Sequence, residues 1–346
     1  MRTTLDIILF ILFLTTCFST TASWSQSSDA AALLLEAQGA RGVALGESYV
    51  AATDGIQSIY WNPAGLLTAD DRALELSFSH RPELATDFLN YEYGTIGYQS
   101  NARSAIAANF SYVDFGPRMP LPEHSFSYSL GVSIAHLLAK GVIAGITIKR
   151  ITQKRPPASD NAFAVDFGLL YQIKNVLSTN ASQGQLNLGA SLSNLGEKAG
   201  FFEGQEDPLP QFLRVGFAYQ ASSRTTWGET GLSNLAALFS FEYQNLLNEI
   251  EAIDENIWEW GGGVELRLLE LIALRLGYHE RHPVTRQTLI GKTFETGGTF
   301  GLGLNLPLEK LGASLPLRLQ FDYAKAPQNG LVDDYEMYTF AGKLEL

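Results

Sequence analysis

Cysteine is nearly absent: the 346-residue chain has one, Cys17, so no internal disulfide framework exists. Charge is scarce, at 17% of residues, and positive charge scarcer, with 24 Lys and Arg against 36 Asp and Glu and a net charge of -12. Phosphate affinity requires the opposite sign, which argues against a nucleic-acid partner. Long apolar runs are also missing. Beyond the N-terminus none approaches the roughly 20 residues of a membrane helix, so a helical membrane bundle is excluded. What the chain does have is 32 Gly, 20 Phe, 14 Tyr and 5 Trp, a composition that favours an all-β fold.

The N-terminus reads as an export signal. Arg2 precedes the apolar stretch IILFILFL (7–14) and the small-residue segment STTAS (19–23), the layout of a secretory signal peptide. Residues 1–22 are therefore expected to be removed after Ala22, and Cys17 leaves with them. The tetrapeptide LTTC (14–17) is a partial match to a lipoprotein cleavage site, with Thr16 larger than the residue usual there.

From residue 73 onward the chain repeats one pattern, in which every second side chain is apolar or aromatic and the others are small or polar. LRLQFDY (317–323) shows it: Leu317, Leu319, Phe321 and Tyr323 share one face, and Arg318, Gln320 and Asp322 the other. Fourteen such segments are expected, at 73–80, 92–99, 103–113, 125–138, 141–151, 162–173, 185–194, 211–220, 236–245, 257–268, 272–280, 297–306, 315–324 and 336–346. Connections after odd-numbered segments run 10 to 16 residues, whereas those at 100–102, 139–140 and 269–271 have three, two and three. Segments of about ten residues, an even count, and long loops at one end with short turns at the other point to a transmembrane barrel rather than a soluble sandwich. The expectation is a 14-stranded antiparallel transmembrane β-barrel over 73–346, facing outer-membrane lipid.

On that reading Phe212, Val215, Phe217, Tyr219, Trp258, Trp260, Val264 and Leu266 face outward. The opposite faces carry Glu75, Lys149, Asp166, Arg214, Glu242, Glu259, Glu265, Arg267, Arg275, Arg318, Asp322, Lys343 and Glu345. A cation at the bilayer midplane costs roughly 2 to 4 kcal/mol, so these charges are assigned to the lumen. Both signs are interspersed, which favours structural pairing over an ion-selective channel. Small residues, Ala105, Ala107, Ser127, Ser129, Gly131, Ser133 and Ala135, leave room inside the third and fourth segments.

The expected occupant is the segment 23–72, which lacks strand alternation. It offers Asp29 as a helix cap, the helix-forming AALLLEA, and a Gly-punctuated stretch that closes on an Asn-Pro turn. Leu33, Leu34, Leu35, Tyr60 and Trp61 are too apolar for a solvated linker, so a short helical hatch or plug is expected in the barrel or at its mouth. Within it, GARGVALGESYVAATDGIQSIYWNPAGLL (39–67) resembles the N-terminal signature of PorV/PorQ-type outer-membrane proteins, members of the wider FadL-like superfamily. The resemblance rests on Gly39, Ala40, Arg41, Gly46, Ala51, Asp54, Trp61, Asn62, Pro63, Ala64, Gly65 and Leu66. It implies a fourteen-stranded barrel with an N-terminal hatch. Where the family continues from Gly46 with small residues, this chain has Glu47 and Ser48, and it ends on Leu346 instead of an aromatic residue.

Function follows as an expectation of an adaptor in type IX-like secretion, bound to secreted cargo or secretion components at the bacterial outer membrane. The alternative is FadL-like transport of a hydrophobic ligand, fatty acid or aromatic, leaving sideways near the small-residue wall. The seven long connections sum to -7, with NLLNEIEAIDEN (245–256) the most acidic and suited to a basic partner or divalent cations. An enzyme is not expected. His80 and His136 face lipid by parity, His124, His279 and His282 lie near the rim, and HERH (279–282) has no completing ligands for a metal. No cofactor motif is present, since GGG (261–263) lies inside a strand and is read as permitting curvature.

Overall fold

The computed structural model describes residues 32–67, 72–82, 90–114, 125–156, 158–202, 205–247, 258–282, 296–327 and 334–346. The expected signal peptide, Cys17, Asp29, His124 and most of the acidic 245–256 connection lie outside them. Fourteen strands close into one antiparallel barrel. In chain order these are β1 (Ala73–Pro82), β2 (Asn90–Asn101), β3 (Ser104–Asp114), β4 (Phe126–Ala139), β5 (Val142–Arg155), β6 (Ala158–Lys174) and β7 (Ser182–Gly196). After a small hairpin, β8 (Ala199–Phe202) and β9 (Gln205–Asp207), the barrel resumes with β10 (Phe212–Ser223), β11 (Leu235–Leu246), β12 (Trp258–Leu268), β13 (Ile272–His282), β14 (Thr296–Pro307), β15 (Leu317–Ala326) and β16 (Tyr335–Glu345). β16 pairs with β1, with Phe78 opposite Phe340, which leaves no sheet edge. Closure is obligatory in lipid, where an unpaired backbone donor or acceptor has no water to meet.

Alternation decides which face meets lipid. Leu130, Val132 and Ile134 on β4, Leu274 and Leu276 on β13, and Phe300, Leu302 and Leu304 on β14 are all exposed on the outside, while the residues between them are buried in the lumen. Trp260 and Tyr278 contact each other across β12 and β13 on that same outer face. A surface this apolar and continuous belongs in hydrocarbon, so the chain is a transmembrane barrel.

Three expectations are corrected. The 10-residue connection expected at 152–161 is a two-residue step, because β5 runs to Arg155 and β6 starts at Ala158. The apolar marker fades there because side chains such as Thr152, Lys154 and Asn161 are polar, although the strand pairing continues through Gln153 and Asp160. Phe212 points inward, not outward: it shares parity with Arg214, whose guanidinium lies 5.1 Å from its ring. The β8–β9 hairpin was not among the expected segments and stands apart from the barrel sheet.

Residues 32–67 fill the lumen. The helix expected at AALLLEA is a single 3-10 turn, Ala32–Leu35; the short α-helix α1 is Ala40–Ala44, and two more 3-10 turns follow at Gly55–Ser58 and Pro63–Leu66. The small-residue wall is where the last of these turns packs: Ile56, Ile59, Ala64, Leu66 and Leu67 bury against Ala105, Ala107, Ala135, Ile143 and Leu170. Nearer the opposite end, Leu34 meets Ile151, Ala162, Ala164 and Leu209, so the connection after β7 folds in over the hatch.

Candidate functional site: a hatch clamped in the lumen

The chain from Leu45 to Val50 runs close to the wall because that wall lacks side chains. An added Cβ at Gly261 would stand 1.8 Å from the Gly46 carbonyl oxygen, at Gly277 2.2 Å from the Gly46 nitrogen, and at Gly301 2.4 Å from Ala44 Cβ. Gly46 itself has φ +66, a left-handed conformation that glycine adopts without steric cost. Gly261 and Gly263 of the GGG run therefore seat the hatch. The departure at Glu47 and Ser48 does not loosen this turn: Ser48 Oγ lies 2.6 Å from Ser240 Oγ, and Glu47 pairs with Arg281 at 3.4 Å.

Arg41, on α1, is the central clamp. Its Nε and Nη2 donate to the two carboxylate oxygens of Glu265 at 2.9 and 3.0 Å, and Nη1 donates to the Tyr49 hydroxyl at 3.1 Å. Asp54 stands 3.6 Å from Nη1. Glu265 also accepts from Arg267 Nε at 2.7 Å and from Arg275 Nε, and Arg275 Nη1 reaches Asp322 at 2.7 Å. Burial works against the Arg41 charge, but the carboxylate of Glu265 with Tyr49 and Asp54 outweighs it and lifts the guanidinium well above its ordinary pKa. Burial likewise raises the hatch phenols of Tyr49 and Tyr60, so both stay neutral, and each accepts from an arginine, Tyr49 from Arg41 and Tyr60 from Arg214.

A second clamp holds the backbone. Glu242 Oε2 accepts from Tyr49 N at 2.7 Å and Val50 N at 2.6 Å, and its other oxygen lies 3.5 Å from Arg214 Nε. Arg214 in turn covers the rings of Tyr60 and Trp61, at 5.0 and 5.8 Å. Trp61 donates to the Gln38 carbonyl at 2.8 Å, tying the two ends of the hatch together. Asn62, fully buried, caps the last turn by accepting from Ala64 N at 3.0 Å and donates to Val50 O at 2.8 Å and Leu169 O at 3.1 Å. Pro63 and Ala64 approach β5 and β6 where Gly145 and Gly168 make room, and Gly65 abuts Thr53. Gly39 opens α1 at φ +87.

Of the lumen charges expected from sequence, Arg267, Arg275, Arg318 and Asp322 line one cavity with Arg41 and Asp54, of about 290 Å³; Glu265 binds three of its arginines, and Glu242 belongs to the separate backbone clamp. Sequence reasoning missed the inward glycines, Glu47, Arg281 and His279. His279, expected near the rim, is 2% exposed inside the lumen. The signal was available: each missed glycine has inward parity. Beside the small-residue wall of β3 and β4, β3 pairs with both neighbours from Ser104 to Asp114, with a register shift between Gln99 and Asn101 on β2.

No protein-family model and no curated protein matches the chain. Solved structures do. The TodX deltaS2S3 mutant monoaromatic hydrocarbon channel is similar at a TM-score of 0.51 and 10% identity, over 90% of this chain and 100% of that one. The toluene transporter TbuX of Ralstonia pickettii is similar at 0.48 and 14%, over 90% and 99%, and a Pseudomonas aeruginosa FadL homologue at 0.43 and 11%, over 89% and 98%. At such identities the likeness is one of fold. The fold is a closed 14-stranded antiparallel barrel like that of the TodX channel, here with residues 32–67 lodged in the lumen.

Proposed function

We propose that the chain is an outer-membrane conduit for small hydrophobic molecules, shut by residues 32–67 and opened when that hatch shifts. The observation that carries this reading is the lopsided lumen. On the β10–β16 side the hatch is held by ion pairs; on the β3–β6 side it rests on small residues and on two apolar patches, one with Ile143 and Leu170, the other with Ile151 and Leu209. The Lys149–Asp166 pair stands between them. A shift away from β3–β6 uncovers a narrow, mostly uncharged lane and leaves the ion pairs intact. The fold likeness to a monoaromatic hydrocarbon channel agrees with this substrate class. Residues 1–22 serve as the export signal in the same reading.

The test is uptake of toluene and of a long-chain fatty acid by cells expressing the chain, with and without Asn62→Ala. Uptake above the empty-vector level, altered severalfold by the substitution, supports transport; no change in either comparison ends it. A second reading keeps one specific support, the 39–67 signature resembling PorV/PorQ-type proteins: an adaptor that retains secreted cargo at the surface. Loss of surface-attached proteins in a deletion strain, with uptake unaffected, favours that reading.

A further inference from the structure

The cavity beside the Arg41 clamp lies at the end of the barrel where the short connection 269–271 turns, and its cations are not all paired with its carboxylates. Five cations reach it: Arg41, Arg267, Arg275, Arg318 and Lys343. Four carboxylates meet them, namely Asp54, Glu75, Glu265 and Asp322. The remaining acidic lining residue, Glu270, is engaged elsewhere, 3.7 Å from Lys310 and accepting from Ser233 N at 2.9 Å. Arg41, Arg267 and Arg275 bind Glu265, and Lys343 stands 3.1 Å from Glu75. Of the cations that line the cavity, Arg318 is the one with no carboxylate partner among the described residues; the residue is half-buried, and its Nε is buried with no hydrogen-bond partner.

Register sharpens the point. Arg318 on β15 is the cross-strand partner of Lys343 on β16, which is in turn the partner of Glu75 on β1. Like charges directly opposite on one face repel. Glu75 compensates only one of the two, and it also accepts from Ile56 N at 3.3 Å.

We propose that this cavity binds one small oxyanion of the carboxylate or phosphate class, held by Arg318 together with Lys343. The guanidinium fork matches two oxygens of such a group. A volume of about 290 Å³ suits a free small anion and excludes a folded peptide. Asp54, Glu75 and Asp322 line the same space, so a single negative charge is preferred over several. Arg318 and Lys343 belong to the wall, and Arg41 and Asp54 of the hatch line the same cavity, so a bound anion stands beside the closed hatch. The site does not depend on what the barrel conducts.

The test uses the purified full barrel in detergent free of phospholipid, titrated with sodium phosphate or sodium acetate at constant ionic strength set by sodium chloride. Calorimetry and the thermal midpoint report binding. Saturable one-to-one binding of either probe, weakened at least tenfold by Arg318→Gln and partly restored by Arg318→Lys, supports the site. Absence of saturable binding by both probes, or equal affinity in Arg318→Gln, overturns the proposal. Should Arg318→Gln fail to fold, Lys343→Gln serves in its place, and undiminished affinity there overturns it equally.

Discussion

Replacing Arg41 with Met keeps the buried stem and removes the charge. Two bonds to the Glu265 carboxylate and one from the charged guanidinium to the neutral Tyr49 hydroxyl are lost. Each charged bond is worth about 1.5 to 3 kcal/mol, and orphaning a buried partner costs about 3 to 5 kcal/mol. Glu265 is not orphaned, since Arg267 and Arg275 still donate to it. The net loss of hatch docking is therefore about 3 kcal/mol, or about a hundredfold in the opening equilibrium. Hydrogen exchange read at amides 40–50 measures that equilibrium, because local opening free energies are what exchange reports. The expected result is exchange about a hundredfold faster in the hatch, with strand amides unchanged. Glu265→Gln must be worse than Arg41→Met, since it strips three guanidiniums of a shared carboxylate. A hatch that exchanges less than about threefold faster in Arg41→Met, or the reverse ranking of the two variants, refutes the clamp.

Gly261→Ala drives a Cβ into the Gly46 carbonyl and should unseat the hatch while the barrel stays folded, exposing the bond after Arg41 to trypsin; Gly262→Ala, whose nearest atom is Ser240 O at 3.3 Å, should leave that bond protected. Leu276→Lys, on a side chain 60% exposed, should cost roughly 2 to 4 kcal/mol in denaturant titrations of the barrel in vesicles. Leu311→Lys, 42% exposed in the β14–β15 connection, should cost almost nothing, and equal costs would place Leu276 in water. Asn62→Ala leaves Val50 O and Leu169 O without that donor and should weaken docking by about 1 to 3 kcal/mol, seen as faster exchange around residues 50 and 62–65.

The barrel was legible because a two-residue period survives wherever one face meets lipid and the other does not. It failed at Lys154 and Asn161, where the outward face is polar although pairing persists; at Phe212 the period holds and aromatic character misleads, since parity with Arg214 turns the ring inward. Lumen charges were legible as a set, because none can face hydrocarbon cheaply. Their partners were not, since Arg41 and Glu265 are 224 positions apart and only closure of the sheet brings them together. Glycine carried the least readable information. Gly262 and Gly261 are identical in sequence terms, yet one faces outward and the other seats the hatch; parity separates them only once an occupant is assumed.

The hatch has little regular structure, one five-residue helix and three 3-10 turns, so most of its backbone groups find no partner within it. Irregular backbone at membrane depth survives only where protein or water satisfies it. Here the wall does so. Thr339 Oγ1 accepts from Ala40 N, Thr299 accepts from Gly46 N and donates to Ala44 O, and Ser191 donates to Trp61 O. Asn187 reaches Ala51 O, and Glu242 takes two amides at once. Each of these wall residues is inward by strand parity and polar, which is the half of the alternating pattern that lipid does not dictate. Moving the hatch breaks several such bonds together, and a buried group left unmatched costs about 1 to 3 kcal/mol. Water must therefore enter as the hatch leaves, and opening and wetting of the lumen are a single event. In the proposed opening that coupling favours small displacements toward the side where ion pairs can stay closed, and the β3–β6 wall, whose Lys149 and Asp166 charges are paired, is then the first surface to be exposed.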